Sequence, residues 1–220
     1  MPYLKKINPD SEVLVLAFGG MMSGLGMPPF EFMKTFSDKS YSCVFFKDFH
    51  QFWYQKGLLG FTNDVYGTRD FIQSIIADVN PRYVITLGTS SGGYAAIMFG
   101  ILLGVNRILA FSPQTKIGQK EYEAFASLDT PDFQDADQGE KNIWNLSKLI
   151  DEQLNSDTLP DIHIYYGALN RRDKIQAEYL KKFQNVTLYP VEGQESHGIS
   201  AVLKKQKKLD IILESACKFN

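Results

Sequence analysis

Cysteine is nearly absent: Cys43 and Cys217 are the only two in 220 residues. Two cysteines build neither a disulfide framework nor the spacing of a metal site. Cys43 lies in the apolar run Tyr41–Phe46 and reads as a small buried hydrophobe. No apolar run approaches the roughly twenty residues that cross a bilayer. Residues Met1–Ser11 carry lysines but no apolar core of a signal peptide, so the expectation is a cytoplasmic protein with no membrane association. Excess charge is also lacking. The formal net charge is −2, which gives no reason to expect a nucleic-acid partner. The densest basic stretch, Lys204-Lys205-Gln206-Lys207-Lys208, has apolar neighbours at Ala201, Val202, Leu209, Ile211 and Ile212 and reads as the wet face of a helix. Histidine is scarce as well. With three in the chain, any search for an imidazole base is confined to His50, His163 and His197.

What is present is alternation. Short β-branched and aromatic runs (Glu12–Phe18, Tyr41–Phe46, Tyr83–Leu87, Arg107–Phe111, Ile162–Tyr166 and Val186–Val191) read as strands. Most are apolar on both faces, as strands covered by helices must be. Between them, Pro29–Phe36, Thr68–Val79, Ser91–Leu103, Arg172–Phe183 and His197–Ser215 show helical periodicity. The expectation is a single α/β domain over residues 1–220, with a mainly parallel sheet of six or seven strands. One stretch breaks the rhythm. Fifty residues separate Phe111 from Ile162; they carry Asp129, Asp132, Asp135, Asp137 and Glu140 and then an amphipathic run, Ile143–Leu154. A small helical cap around 116–155 is one reading, and a plain surface insertion is the other.

The chemistry concentrates after the third run. The buried strand Tyr83–Leu87 runs into Gly88-Thr89-Ser90-Ser91-Gly92, and a helix of small residues follows at once. This is G-x-S-x-G in the strand–turn–helix context that gives it meaning. The turn strains the serine backbone, so its neighbours two positions away must lack side chains; Gly88 and Gly92 meet that need. Centring on Ser91 would put Thr89 at a glycine position, so Ser90 is the candidate nucleophile. The plainer alternative is an ordinary Gly/Ser-rich βα turn, of the kind that can also bind phosphate.

A nucleophilic serine needs a base and an acid to orient it. His163 falls inside a strand run and His50 in an aromatic loop, whereas His197 follows the last strand and opens the last helix. Asp173 follows the strand Ile162–Tyr166; its alternative is a helix cap. The order Ser90, Asp173, His197 is the chain order of this arrangement in α/β-hydrolases. The glycine-rich loop Gly19–Gly24 follows the first strand, and the amides of Gly20 and Met21, with that of Ser91, are the candidate oxyanion donors.

On these residues the chain resembles the α/β-hydrolase superfamily over nearly its whole length. The elbow Gly88–Gly92 is the specific part, joined by Asp173-Lys-Ile and Ser196-His197-Gly198. Phe18 stands where the family often has histidine, and too few residues precede Glu12 for both of the usual leading antiparallel strands. The resemblance implies cleavage of an ester or thioester through an acyl-enzyme on Ser90, without metal or organic cofactor. Acyl transfer with the same three residues, and a non-catalytic binding protein of this fold, are the alternatives. The loop with His50, Trp53 and Tyr54, together with Met21, Met22 and Met27, suggests an apolar substrate pocket; simple packing of that loop explains the same residues. Oligomeric state is left open.

Overall fold

In the computed structural model, residues 1–21, 30–120, 123, 143–153 and 159–219 are described. They form one seven-stranded sheet: β1 (Tyr3–Lys6), β2 (Val13–Phe18), β3 (Ser42–Phe46), β4 (Tyr83–Thr89), β5 (Arg107–Phe111), β6 (Asp161–Gly167) and β7 (Val186–Val191). The spatial order is β1-β3-β2-β4-β5-β6-β7. Every pairing is parallel except β1 with β3. One of the two leading antiparallel strands therefore does form, in the few residues ahead of β2. The described helices are α1 (Val65–Val79), α2 (Ser91–Leu103), α3 (Leu146–Gln153), α4 (Arg171–Glu178), α5 (Ile199–Lys205) and α6 (Leu209–Ala216). Among the described residues no helix is long and apolar enough to cross a membrane.

The period-2 geometry of strands splits the sheet's side chains between two cores. Leu14, Leu16 and Phe18 of β2 join Val44, Phe46, Ile108, Ala110, Ile162 and Ile164 on the face covered by α1 to α3. Val15 and Ala17 join Cys43, Phe45, Ile85, Leu87, Leu109 and Phe111 on the face covered by α5 and α6. Helix α2 is apolar all round, and every residue from Ser91 to Ile101 is buried, so it is the central helix.

Three helix expectations are corrected. Residues 30–39 form turns instead of the expected helix Pro29–Phe36: Phe32 takes a left-handed φ of 63°, which an α-helix cannot contain, while Phe30, Phe32 and Phe36 are buried in the second core. The helix expected over His197–Ser215 is two helices. Lys207 takes φ 57° and the Lys208 N–H turns back to the Leu203 carbonyl, so the end of the basic stretch, Gln206–Lys208, is a break that lets Leu203 and Leu209 both reach the core. Helix α4 ends at Glu178, five residues before Phe183, and turns carry Leu180 and Phe183 inward. Of the segment around 116–155, the described part includes α3, which buries Leu146, Leu149 and Ile150 in the α2-side core. The acidic residues Asp129 to Glu140 lie outside the described residues.

The winding reverses at β2, whose neighbours are β3 and β4. In open α/β sheets such a reversal marks the usual site of ligand binding, outside the C-terminal ends of the flanking strands, here β2 and β4. The glycines at these strand ends allow tight packing. A Cβ on Gly92 would stand 2.2 Å from the Phe18 carbonyl oxygen, and one on Gly88 would stand 2.1 Å from that of Gly92. Backbone cannot yield to such contacts, so Gly92→Ala is expected to cost about 3 kcal/mol or more, or to prevent folding. Gly104→Ala, at φ 61° with nothing within 4 Å, is expected to cost only about 1–2 kcal/mol. Urea denaturation of the two variants checks the contrast.

Candidate active site

Ser90 sits between β4 and α2 with φ 56° and ψ −121°, a conformation that non-glycine residues avoid. Its backbone is over-determined. The Ser90 N–H donates to the Phe111 carbonyl at 2.9 Å, and its carbonyl accepts from Tyr94 N–H at 2.9 Å. The strained turn stands the hydroxyl at the sheet edge, partly open to solvent.

Asp173 and His197 reach the same point from β6 and β7. Asn170 caps α4, its side chain accepting from the Asp173 N–H at 3.1 Å. The cap role weighed for Asp173 therefore falls to Asn170, which leaves the Asp173 carboxylate for another partner. The Asn170 amide also donates to the Glu195 carbonyl at 3.0 Å, and the Leu169 N–H to the Gln194 carbonyl at 2.9 Å, which ties the acid loop to the histidine loop. Gly167 allows the approach: a Cβ there would stand 2.7 Å from the Gln194 carbonyl oxygen. The result is a line of two hydrogen bonds. His197 Nδ1 is 2.7 Å from Asp173 Oδ1, and His197 Nε2 is 2.9 Å from Ser90 Oγ. Asp173 is buried, with its side chain 7% exposed, whereas the His197 side chain is 47% exposed. A buried carboxylate facing Nδ1 fixes the tautomer in which Nε2 is the acceptor of the serine proton.

The other two histidines lie elsewhere. His163 packs within β6 against Tyr189, with ring centroids 5.4 Å apart, and burial followed by the nearby Arg107 pushes its pKa down. His50 is exposed, and its backbone N–H donates to Asp48.

The amides expected to hold an oxyanion are engaged. Gly20 N–H donates to Glu31 Oε2 at 3.0 Å, and Met21 N–H donates to Ser91 Oγ at 2.8 Å. The Ser91 amide, in the first turn of α2, has no intrahelical acceptor by geometry. Trp53 and Tyr54, expected in a substrate pocket, are both 0% exposed. The Tyr54 hydroxyl donates to the Gly19 and Phe46 carbonyls, and its ring packs edge-on to Phe18. Trp53 packs against Phe52 and Trp144, so both side chains belong to the core. Met22 and Met27 lie outside the described residues. Phe18, where a histidine was a family expectation, stacks on Phe46 and Phe99 in the core.

Two residues missed in the sequence adjoin Ser90. Gln114 Nε2 donates to Ser90 Oγ at 3.3 Å. Glu31 joins the Gly20 amide to the Thr89 hydroxyl, and Thr89 in turn bonds Ser200 of α5 at 3.0 Å. Neither belongs to a motif; each arrives from a turn whose path only the folded chain defines. Burial pushes the Glu31 carboxyl above its ordinary value, against the opposing pull of the Gly20 and Thr89 hydrogen bonds. Among the described residues there is no cluster of three or more metal-ligating side chains.

The sheet order, the elbow and the single domain define the α/β-hydrolase fold. No protein-family model matches the sequence, and no curated protein does. Solved structures do match in three dimensions. The capsule O-acetyltransferase of Neisseria meningitidis serogroup A aligns with a TM-score of 0.73 at 20% identity, over 96% of this chain and 90% of that one. A fluorophosphonate-binding serine hydrolase of Staphylococcus aureus aligns at 0.58 and 15% identity, over 93% and 85%. A carboxylesterase of the thaumarchaeon Nitrososphaera gargenis aligns at 0.58 and 14% identity, over 97% and 92%.

The raised Glu31 carboxyl carries a consequence for stability. It binds more protons folded than unfolded once the pH passes its ordinary value of 4.5, so folding is penalised as the pH climbs through the raised value. Glu31→Gln keeps an acceptor for Gly20 and removes that titration. Its stability relative to the parent is expected to be close at pH 4 and to improve as pH rises toward 8. Denaturation midpoints across that range measure it, and a gap that shrinks with pH counts against the assignment.

Proposed function

We propose that this chain is a serine-dependent acyl enzyme that cleaves a carboxylic ester or thioester, with Ser90 as nucleophile, His197 as general base and Asp173 as the acid that orients it. The observation that carries this reading is the unbroken hydrogen-bonded line from Asp173 Oδ1 through the His197 ring to Ser90 Oγ, on a strained elbow at a sheet edge. In this reading Ser90 Oγ attacks the acyl carbon and its proton passes to His197 Nε2. The leaving alcohol or thiol departs with that proton. Water then enters by the same route in reverse and releases the acid. The Ser91 amide is one oxyanion donor, and the Gly20 amide is the second once Glu31 releases it. No step calls for a metal or an organic cofactor.

A second reading is acyl transfer to an alcohol. It differs only in which nucleophile reaches the acyl-enzyme. What favours it is the similarity of nearly the whole chain to an O-acetyltransferase, at a higher TM-score than the two hydrolases described above. The two separate when the enzyme turns over an acetyl ester or thioester with and without added polyols: a new ester product marks transfer, and free acid alone marks hydrolysis. A binding protein of this fold, the third alternative, labels with no serine-directed probe.

Ser90→Ala is expected to abolish labelling by a fluorophosphonate probe and to lower kcat/KM by about 10⁴-fold or more, with His197→Ala close behind because the pair acts as a unit. Asp173→Asn is expected to cost about a hundredfold or more. All three are expected to melt near the parent temperature. Retention of labelling in Ser90→Ala sinks the reading.

A further inference from the structure

We infer that Gln114 is a further catalytic residue, whose side-chain N–H donates a hydrogen bond to the nucleophilic oxygen of Ser90. The inference rests on the acyl-enzyme reading above and deepens it.

Gln114 follows β5 in the turn Ser112-Pro113-Gln114, and its backbone is clamped on both sides. The Ser112 N–H donates to the Tyr165 carbonyl at 2.7 Å, and Pro113 packs on Gly93, where a Cβ would stand 3.1 Å from the proline Cβ. Beyond it, the Thr115 and Lys116 N–H groups both donate to Gln176 Oε1, at 2.7 and 3.1 Å, and the Thr115 hydroxyl donates to the Gln176 carbonyl at 2.6 Å. So held, the Gln114 side chain brings Nε2 to 3.3 Å from Ser90 Oγ.

The hydrogen-bond inventory settles which end of the amide faces the serine. Asp173 as a carboxylate is an acceptor only, so the proton between it and His197 sits on Nδ1. His197 Nε2 is then an acceptor, and the single proton of Ser90 goes to it. Oγ is left with lone pairs, and only the NH₂ end of Gln114 complements them. This orientation leaves Gln114 Oε1 buried without a partner among the described residues. A buried acceptor left unmatched is costly, and a native fold tolerates it chiefly where function demands it.

The chemical role follows from where charge develops. In acylation the Oγ–H bond breaks toward His197 Nε2, the Oγ–C bond forms, and the carbonyl π pair moves to the carbonyl oxygen. In deacylation the incoming O–H gives its proton to His197, the tetrahedral intermediate collapses, and the Oγ–C bond breaks, with Oγ keeping the pair and taking the proton back. Oγ is electron-rich in both transition states and a weak acceptor in the ester between them. A donor aimed at Oγ therefore stabilises the two transition states more than the acyl-enzyme, and its effect belongs in kcat and not in KM.

The test uses the full chain with Gln114→Ala and Gln114→Glu, each read by pre-steady-state turnover of p-nitrophenyl acetate and by the rate of fluorophosphonate labelling. Gln114→Ala is expected to slow acylation, deacylation and labelling by about tenfold to a hundredfold, with KM within about twofold. Gln114→Glu has the same length but presents an anion to Oγ at neutral pH. When its carboxyl takes up a proton it regains a donor, so its rate relative to the parent is expected to rise as the pH falls from 8 to 5. That pH signature separates a donor role from a structural one, and it remains readable if the alanine variant folds poorly. Unchanged rates in Gln114→Ala, a loss confined to KM, or a pH-independent ratio for Gln114→Glu overturns the inference alone. A parent protein that neither labels at Ser90 nor turns over the ester overturns the acyl-enzyme reading and this inference with it.

Discussion

Everything at the functional edge depends on one backbone contact: the first turn of α2 pressed against the end of β2. The Gly92 Cα faces the Phe18 carbonyl so closely that no side chain fits, and Gly88 faces Gly92 in the same way. This approach brings the helix N-terminus onto the sheet edge and forces the turn between Gly88 and Gly92 to be short. A turn that short has room for one conformation at its apex, and Ser90 takes it, with positive φ. The strain is offset by the helix behind it, which is buried from Ser91 to Ile101. The position of the hydroxyl is thus a result of helix–sheet packing more than of anything the serine does itself.

The same edge gathers side chains from loops far apart in sequence because parallel topology delivers every strand's C-terminal loop to one side. Delivery alone leaves loops free to drift by ångströms. Here they are stitched. Asn170 and Leu169 bind the histidine loop through its carbonyls, Gln176 binds the turn after β5, and Thr89 joins Glu31 to Ser200. The Asn170, Leu169 and Gln176 stitches satisfy backbone atoms that would otherwise be stranded between elements, and the Thr89 link joins side chains. Asp173, His197, Gln114 and Ser90 are therefore neighbours of defined geometry.

Glu31 adds a tension to this arrangement. Its carboxylate occupies the Gly20 amide, the second oxyanion donor proposed above. The contact stabilises the glycine loop and competes with the chemistry proposed for it. Burial disfavours the charged carboxylate, and the Gly20 and Thr89 hydrogen bonds oppose that cost.

Much of this was legible in the chain before it folded. The alternation of strand and helix runs, the apolar strands and the elbow depend on local steric rules, and those act on neighbours in sequence. Ser90, Asp173 and His197 converge because each lies just past a strand, in an order that topology turns into proximity. The sequence alone did not determine what depends on long-range contacts. Phe32 breaks an expected helix because burying three phenylalanines against the sheet outweighs local propensity, and Lys207 breaks another so that Leu203 and Leu209 can both face inward. Trp53 and Tyr54 are core rather than pocket because a buried Asp48 gathers their loop, accepting from the His50, Phe52 and Tyr54 N–H groups. Gln114 and Glu31 carry no motif at all. Their roles arise from where the tertiary fold aims one amide and one carboxylate, and a hydrogen bond's direction is a property of three-dimensional geometry that no spacing in the sequence encodes.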